Sequence, residues 1–198
     1  MGRPRKFDED EVVEAACRVF WRGGYDGTST DDLCRATGLT RSSLYNSFTS
    51  KEELFVRALR RYAEERAERQ TAVLEDQGRS GLERIRALLA MIVEDEMGGR
   101  EQGRGSGCFT VNTQTSSARR NPAVAEVLDA DLRKRLGVLE GAIRAGQADG
   151  SIAADRAPAE LAWYVNSLVG GARVAGQAGV GREVLEGVMA TGVRALEP

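Results

Sequence analysis

Residues Thr28 to Lys51 read TSTDDLCRATGLTRSSLYNSFTSK, two short helix patterns joined by a turn of three or four residues. The first helix can start at Ser29, whose hydroxyl is placed to accept from the N–H of Asp32, while the Asp32 carboxylate sits in the electropositive first turn. Leu33 and Ala36 fall on its inner face. Gly38 follows where the chain needs a residue tolerant of positive φ, and Leu39 fills the corner between the helices. Thr40 is the next N-cap, and Leu44 and Phe48 lie one turn apart and point inward. Ser50 and Glu53 read as a further capping box that opens a third helix, with Lys51 at its first position. The pattern is a helix-turn-helix.

The second of these helices leaves Arg41, Ser42, Tyr45 and Asn46 on its outer face. Short polar side chains with one Arg and one Tyr suit a helix laid against base edges, where bulky or acidic groups would be excluded. Arg41 has the fork for a bidentate contact to guanine, and Tyr45 suits a phosphate or a thymine methyl. Thr40, Ser42 and Ser43 are close enough for bases or phosphate, and Asn46 shares their face. Thr30 and Lys51, at the starts of the flanking helices, are placed for phosphate.

Here the residues match a family. The run from about Phe7 to Phe55 resembles the DNA-binding domain of the TetR family of bacterial transcriptional regulators. The family pattern G-[LV]-[ST]-x-x-x-[LI]-Y-x-x-F-x-[SN]-K-[ED]-x-L is met by GLTRSSLYNSFTSKEEL, Gly38 to Leu54. One residue departs from it: the position before Phe48, often His in the family, is Ser47, which removes one implied phosphate contact. The resemblance implies an all-α protein of about nine helices. It would have an N-terminal three-helix helix-turn-helix DNA-binding domain (1–50) and a C-terminal helical ligand-sensing and dimerisation domain (51–198).

Composition agrees with a helical protein. The chain has 198 residues, 41% of them hydrophobic, enough to bury a core, and its four Pro and lack of β-branched alternation argue for helices almost throughout. With no His, a Ser-His-Asp triad, a Cys-His pair and a His-based metal site are all excluded, so an enzyme has little support and no cofactor is implied. Cys17, Cys34 and Cys108 are odd in number and widely spaced, which implies neither a disulfide framework nor zinc. A reducing cytoplasm fits them best. Met1 is followed by charge rather than an apolar leader, and Asn166 and Arg173 break the most apolar stretch, so neither secretion nor a membrane is expected. The net charge of −2 is unusual for a nucleic-acid binder, but residues 1–62 carry eleven Lys and Arg against ten Asp and Glu, so recognition must depend on where single charges sit.

Outside the motif, Gly2-Arg3-Pro4-Arg5-Lys6 forms a short basic arm. Either Arg3 and Arg5 enter the minor groove or the arm is a disordered tail. Asp8 caps the first helix, with Glu11 in capping-box position, and the Gly23-Gly24 pair stops it. The helix begun at Ser50 reaches the mid-seventies, and the next apolar stripe runs from Leu82 to Met97. The Gly-rich stretch Gly98 to Gly107 lacks the strand and Gly-Lys-Ser/Thr of a phosphate loop and reads as a flexible connection. Asn121-Pro122 opens a long helix. Two more follow, Pro158 to Gly176 and Arg182 to Leu196, carrying more apolar surface than one face can bury.

In family members the last two helices pair across a two-fold axis, which implies a homodimer on palindromic double-stranded operator DNA. The resemblance also implies a small-molecule effector whose binding changes the separation of the recognition helices, most often releasing a repressor. Met91, Phe109, Asn112, Trp163, Tyr164 and Asn166 could line the effector pocket, or could simply be core. Gly107-Cys108-Phe109 resembles one branch of the family, which includes repressors that sense electrophiles through a cysteine. Cys108 would follow a Gly-rich loop at a helix N-terminus, with Arg100 and Arg104 shortly before it. An alternative reading keeps the fold and regulates it through oxidation or alkylation of Cys108; another is a helical ligand-binding protein that does not bind DNA.

Overall fold

The computed structural model describes residues 7–101 and 107–198, and the expected arm at Arg3 and Arg5 lies outside them, as does Arg104. Nine α-helices are present among the described residues, and no strand. In chain order they are α1 (Glu9–Gly27), α2 (Thr30–Thr37), α3 (Arg41–Ser47), α4 (Lys51–Leu74), α5 (Gly81–Glu101), α6 (Phe109–Gln114), α7 (Pro122–Ala148), α8 (Pro158–Gln177) and α9 (Arg182–Arg194). A 3-10 turn at Ser117–Arg120, which the sequence pattern did not announce, separates α6 from α7.

Local chemistry sets most of these boundaries. Ser29 and Asp32 form the reciprocal box, the Ser29 hydroxyl accepting from the Asp32 N–H at 3.1 Å and the Ser29 N–H donating to Asp32 Oδ2 at 3.0 Å. Gly38 ends α2 with φ 70°, the left-handed value expected of it, and the Thr40 hydroxyl accepts from the Ser43 N–H at 3.2 Å. At α4 the Ser50 hydroxyl accepts from the Glu53 N–H at 3.1 Å. The Glu53 carboxylate reaches one residue further back than expected and takes both the N–H and the hydroxyl of Thr49, at 2.8 and 2.7 Å. Asn121 Oδ1 accepts from the Ala123 N–H at 2.9 Å, with Pro122 at the first helical position of α7. α5 departs from expectation: it continues through Gly98 and Gly99, which take no positive φ, because Glu96 and Met97 are still held against its own unit.

The chain divides into two compact units, the first comprising residues up to Ala63 with Cys108–Leu128, the second Glu64–Gly107 with Asp129–Pro198. α4 and α7 contribute residues to both. By packing, the first unit therefore extends beyond residue 50. Its core joins Phe20, Leu33, Leu44, Phe48, Leu54, Phe55 and Leu59 to Phe109 and Val124. Edge-on aromatic contacts run through it: Phe55 lies 5.0 Å from Phe20, 5.1 Å from Tyr25 and 5.5 Å from Phe109, and Tyr62 lies 5.7 Å from Phe109 and 5.0 Å from Trp21. Those rings draw the α6 segment into the unit.

In the second unit α5 packs against α8 and α9 around Ile85, Leu89, Ile92, Leu161, Val165 and Met189, with Leu139 and Ile143 of α7. A buried charge cluster crosses this core. Arg173 of α8, 3% exposed, bonds Glu96 Oε1 at 2.6 Å and Asp95 Oδ2 at 3.1 Å, and Asp95 also receives Arg69 of α4 at 2.8 Å. No described helix is long and apolar enough to cross a membrane.

Candidate nucleic-acid interface

Leu44 and Phe48 are closed into the first core, which fixes the rotation of α3 and turns its other side outward. Arg41, Ser42, Tyr45 and Asn46 stand exposed on that side, and Ser43 is half-buried. Thr40 serves two purposes: its hydroxyl caps α3 and also lies 2.9 Å from Ser43 Oγ and 3.1 Å from Ser42 Oγ, so these three hydroxyls form one small polar edge. Thr30, at the first position of α2, shares a hydrogen bond of 2.9 Å with the Tyr45 hydroxyl. Two residues expected to meet phosphate are thus already joined. Lys51, at the first position of α4, is half-buried, its Nζ 4.4 Å from the centre of the Tyr25 ring. Ser47 is half-buried at the end of α3.

The electrostatics of this face are mixed. No acidic residue lies within Thr40 to Asn46, yet the fold brings Asp31 of α2 to 3.8 Å from Arg41. Nothing in the spacing ties residue 31 to residue 41; a first-turn acid reads from sequence as complementing its own helix dipole. The pair is exposed and weak by itself. Ser29, hydroxyl first and then N–H, holds the Asp32 carboxyl below its ordinary pKa, and Thr49, hydroxyl first and then N–H, does the same for Glu53. Both caps therefore stay charged at neutral pH. The Tyr25 phenol is shifted up, by burial first and then by Glu52, Asp26 and Tyr45, so it remains protonated. Tyr25 packs on Phe55 and also faces Lys51, one of the DNA-contact candidates.

The expected effector residues are spread over both units. Phe109 is buried in the aromatic core of the first unit and Asn112 is half-buried there. In the second unit Met91 packs half-buried on the core, Asn166 is half-buried, and Trp163 and Tyr164 lie on the exposed side of α8, Tyr164 donating to the Gly192 carbonyl at 3.2 Å. None of the six lines the groove of about 400 Å³ between α5 and α9, whose floor is Leu89, Val93, Met189 and Val193. Cys108 is fully buried, its Sγ 3.1 Å from Thr110 Oγ1, and it stands at the N-cap of α6 without a side-chain capping bond.

The model of bacterial regulatory proteins of the tetR family matches residues 12–58, and that of a tetracyclin repressor-like C-terminal domain matches residues 81–191, more than half of the chain. The chain belongs to the TetR family. Among TetR relatives, the HTH-type transcriptional repressor ComR of Escherichia coli (strain K12) is 29% identical over 193 residues, 98% of this chain and 90% of ComR. A cysteine-substituted form of the TetR family transcriptional regulator CifR, complexed with a 26-bp double-strand operator DNA, is 32% identical, with 98% of this chain and 100% of that chain covered and a TM-score of 0.83. Reduced NemR of E. coli, 21% identical with a TM-score of 0.81 over 96% of this chain and 98% of its own, shares the fold.

Proposed function

We propose that this protein is a ligand-responsive, DNA-binding transcriptional repressor, released from a palindromic double-stranded operator by a small effector. The outward face of α3 carries the reading. Arg41, Ser42, Tyr45 and Asn46 project from a helix whose opposite side is locked into a core, with Thr30 and Lys51 at the two flanking helix starts. That is the layout by which a recognition helix reads base edges while neighbouring helix N-termini take phosphates. The relation to ComR and to operator-bound CifR supports it.

Functionally the chain divides into DNA-binding residues 1–50 and sensing and dimerising residues 51–198, with α4 common to both packed units. We place dimerisation on α8 and α9, where Val174, Val184 and Val188 are all exposed apolar residues. A two-fold dimer would set half-sites about 34–36 Å apart or a multiple of it. The effector site is assigned to the helices of the second packed unit, with Met91, Trp163, Tyr164 and Asn166 as its candidates there. The effector must favour the DNA-incompetent state over the competent one. Burial of Cys108 supports a packing role over a sensing one.

The test is selection of bound duplexes from a random-sequence pool by the full-length protein, followed by titration of the recovered site. A palindrome should emerge. Arg41→Ala should cost about 1–3 kcal/mol and relax one position per half-site, whereas Lys51→Ala should weaken all sequences alike. Failure to enrich any sequence, or wild-type affinity in both variants across a salt series, would overturn the assignment.

A further inference from the structure

We propose that Tyr25 is a positioning residue for DNA binding, its ring holding the Lys51 ammonium where a backbone phosphate is to arrive. The inference rests on the DNA-binding reading above and adds a residue from α1 to the contact surface. Lys51 and Phe55 lie one turn apart at the start of α4, and the Tyr25 ring touches both: its face is 4.4 Å from Lys51 Nζ and it meets the Phe55 ring at 5.1 Å and 72°. The ring is itself held. Gly24 breaks α1 with φ 66°, a value that suits only glycine, and its carbonyl accepts from the buried Thr28 hydroxyl at 2.7 Å. That turn delivers Tyr25 to the first turn of α4.

A lysine side chain has a long flexible stem, and fixing its head on a phosphate costs rotamer freedom. Glu52 and Asp26 both raise the pKa of the Tyr25 phenol, after burial, so the ring keeps its proton beside the ammonium. A ring face attracts the cation through its quadrupole without neutralising it, and leaves its N–H donors free for a phosphate oxygen. Tyr45 also acts on Tyr25 and is bonded to Thr30. Tyr25 of α1 thus meets Lys51 of α4, and Thr30 of α2 meets Tyr45 of α3.

The experiment uses the full-length protein and a fluorescein-labelled duplex recovered from the random pool, titrated by anisotropy over a salt series. Tyr25→Leu should lose about two- to fivefold in affinity, the range of an exposed cation–π contact, and should flatten the salt slope toward that of Lys51→Ala. In the Lys51→Ala background the same change should be nearly silent. Tyr25→Phe, which keeps the ring, should bind like wild type. Should Tyr25→Leu melt early, phenylalanines of increasing fluorination at position 25 keep the shape and drain the ring quadrupole; affinity should then fall stepwise with Lys51 present and stay level without it. An equal loss from Tyr25→Leu in both backgrounds, or level affinity across the fluorinated series with Lys51 present, would overturn the proposal while leaving the DNA-binding reading intact. No enriched duplex for wild type would overturn both.

Discussion

Replacing Arg173 by Met should be among the most destabilising single changes in the second unit. Arg173 and Glu96 are each about 3% exposed, and the guanidinium satisfies Glu96 at 2.6 Å and Asp95 at 3.1 Å. Met fills a similar volume but strands the Glu96 carboxylate in the core. Solvent access to that carboxylate is narrow, since a Cβ at position 176 would run into it. Removing one partner of a buried pair costs about 3–5 kcal/mol, mainly because the other charge stays desolvated. At about 2–4 °C per kcal/mol for a chain of this size, the melting temperature should drop by about 6–20 °C. Removing both charges, as Glu96→Met with Arg173→Met, should recover most of the loss, Asp95 keeping Arg69 at 2.8 Å. Breaking the exposed Arg18–Glu14 pair with Arg18→Ala should cost less than about 1 kcal/mol. Urea denaturation at a fixed protomer concentration reads all three variants, because association would otherwise shift the midpoint. A loss below about 1 kcal/mol for Arg173→Met, or a double variant worse than the single, would refute the reasoning.

Asp31→Asn removes the carboxylate beside Arg41, so affinity for random-sequence duplex should rise by more than affinity for the selected site, and the ratio of the two, measured at matched salt, should fall. The capping carboxylates make the fold acid-sensitive in a defined direction: Asp32 and Glu53 both have lowered folded-state pKa values, so their contribution is present above the ordinary carboxylate range near pH 4 and is lost as pH falls through the lowered values. NMR titration should show the Asp32 carboxyl of Ser29→Ala moving back up toward its ordinary value, and an unchanged titration would rule out the cap as the cause. Val188→Arg places a charge on the exposed apolar side of α9 and should give a monomer by sedimentation at micromolar concentration; an intact dimer would remove α9 from the interface. Cys108→Ser should leave operator binding after peroxide or quinone treatment equal to that of treated wild type, because the wild-type thiol is buried; loss of binding in wild type alone would identify it as a switch.

Between Thr28 and Lys51 the sequence alone determined nearly everything about the backbone. The Ser29–Asp32 box, Gly38 at positive φ, Thr40 as a cap and the inward pair Leu44 and Phe48 are all relations within about four residues, and at that range helix geometry decides which groups meet. The outward placement of Arg41, Tyr45 and Asn46 followed from the same periodicity. Tertiary structure decided what those side chains face. Asp31 meets Arg41, Thr30 meets Tyr45 and Tyr25 covers Lys51 because separate helices are packed on one core, and their sequence separations carry no periodic signal. Phe109, which its aromatic character suggested for an effector pocket, joined the first core through Phe55 and Tyr62. Arg173, legible only as an interruption of an apolar stretch, found Glu96 seventy-seven residues away. A buried charge announces that it needs a partner, but only the packing of α8 on α5 chooses which one.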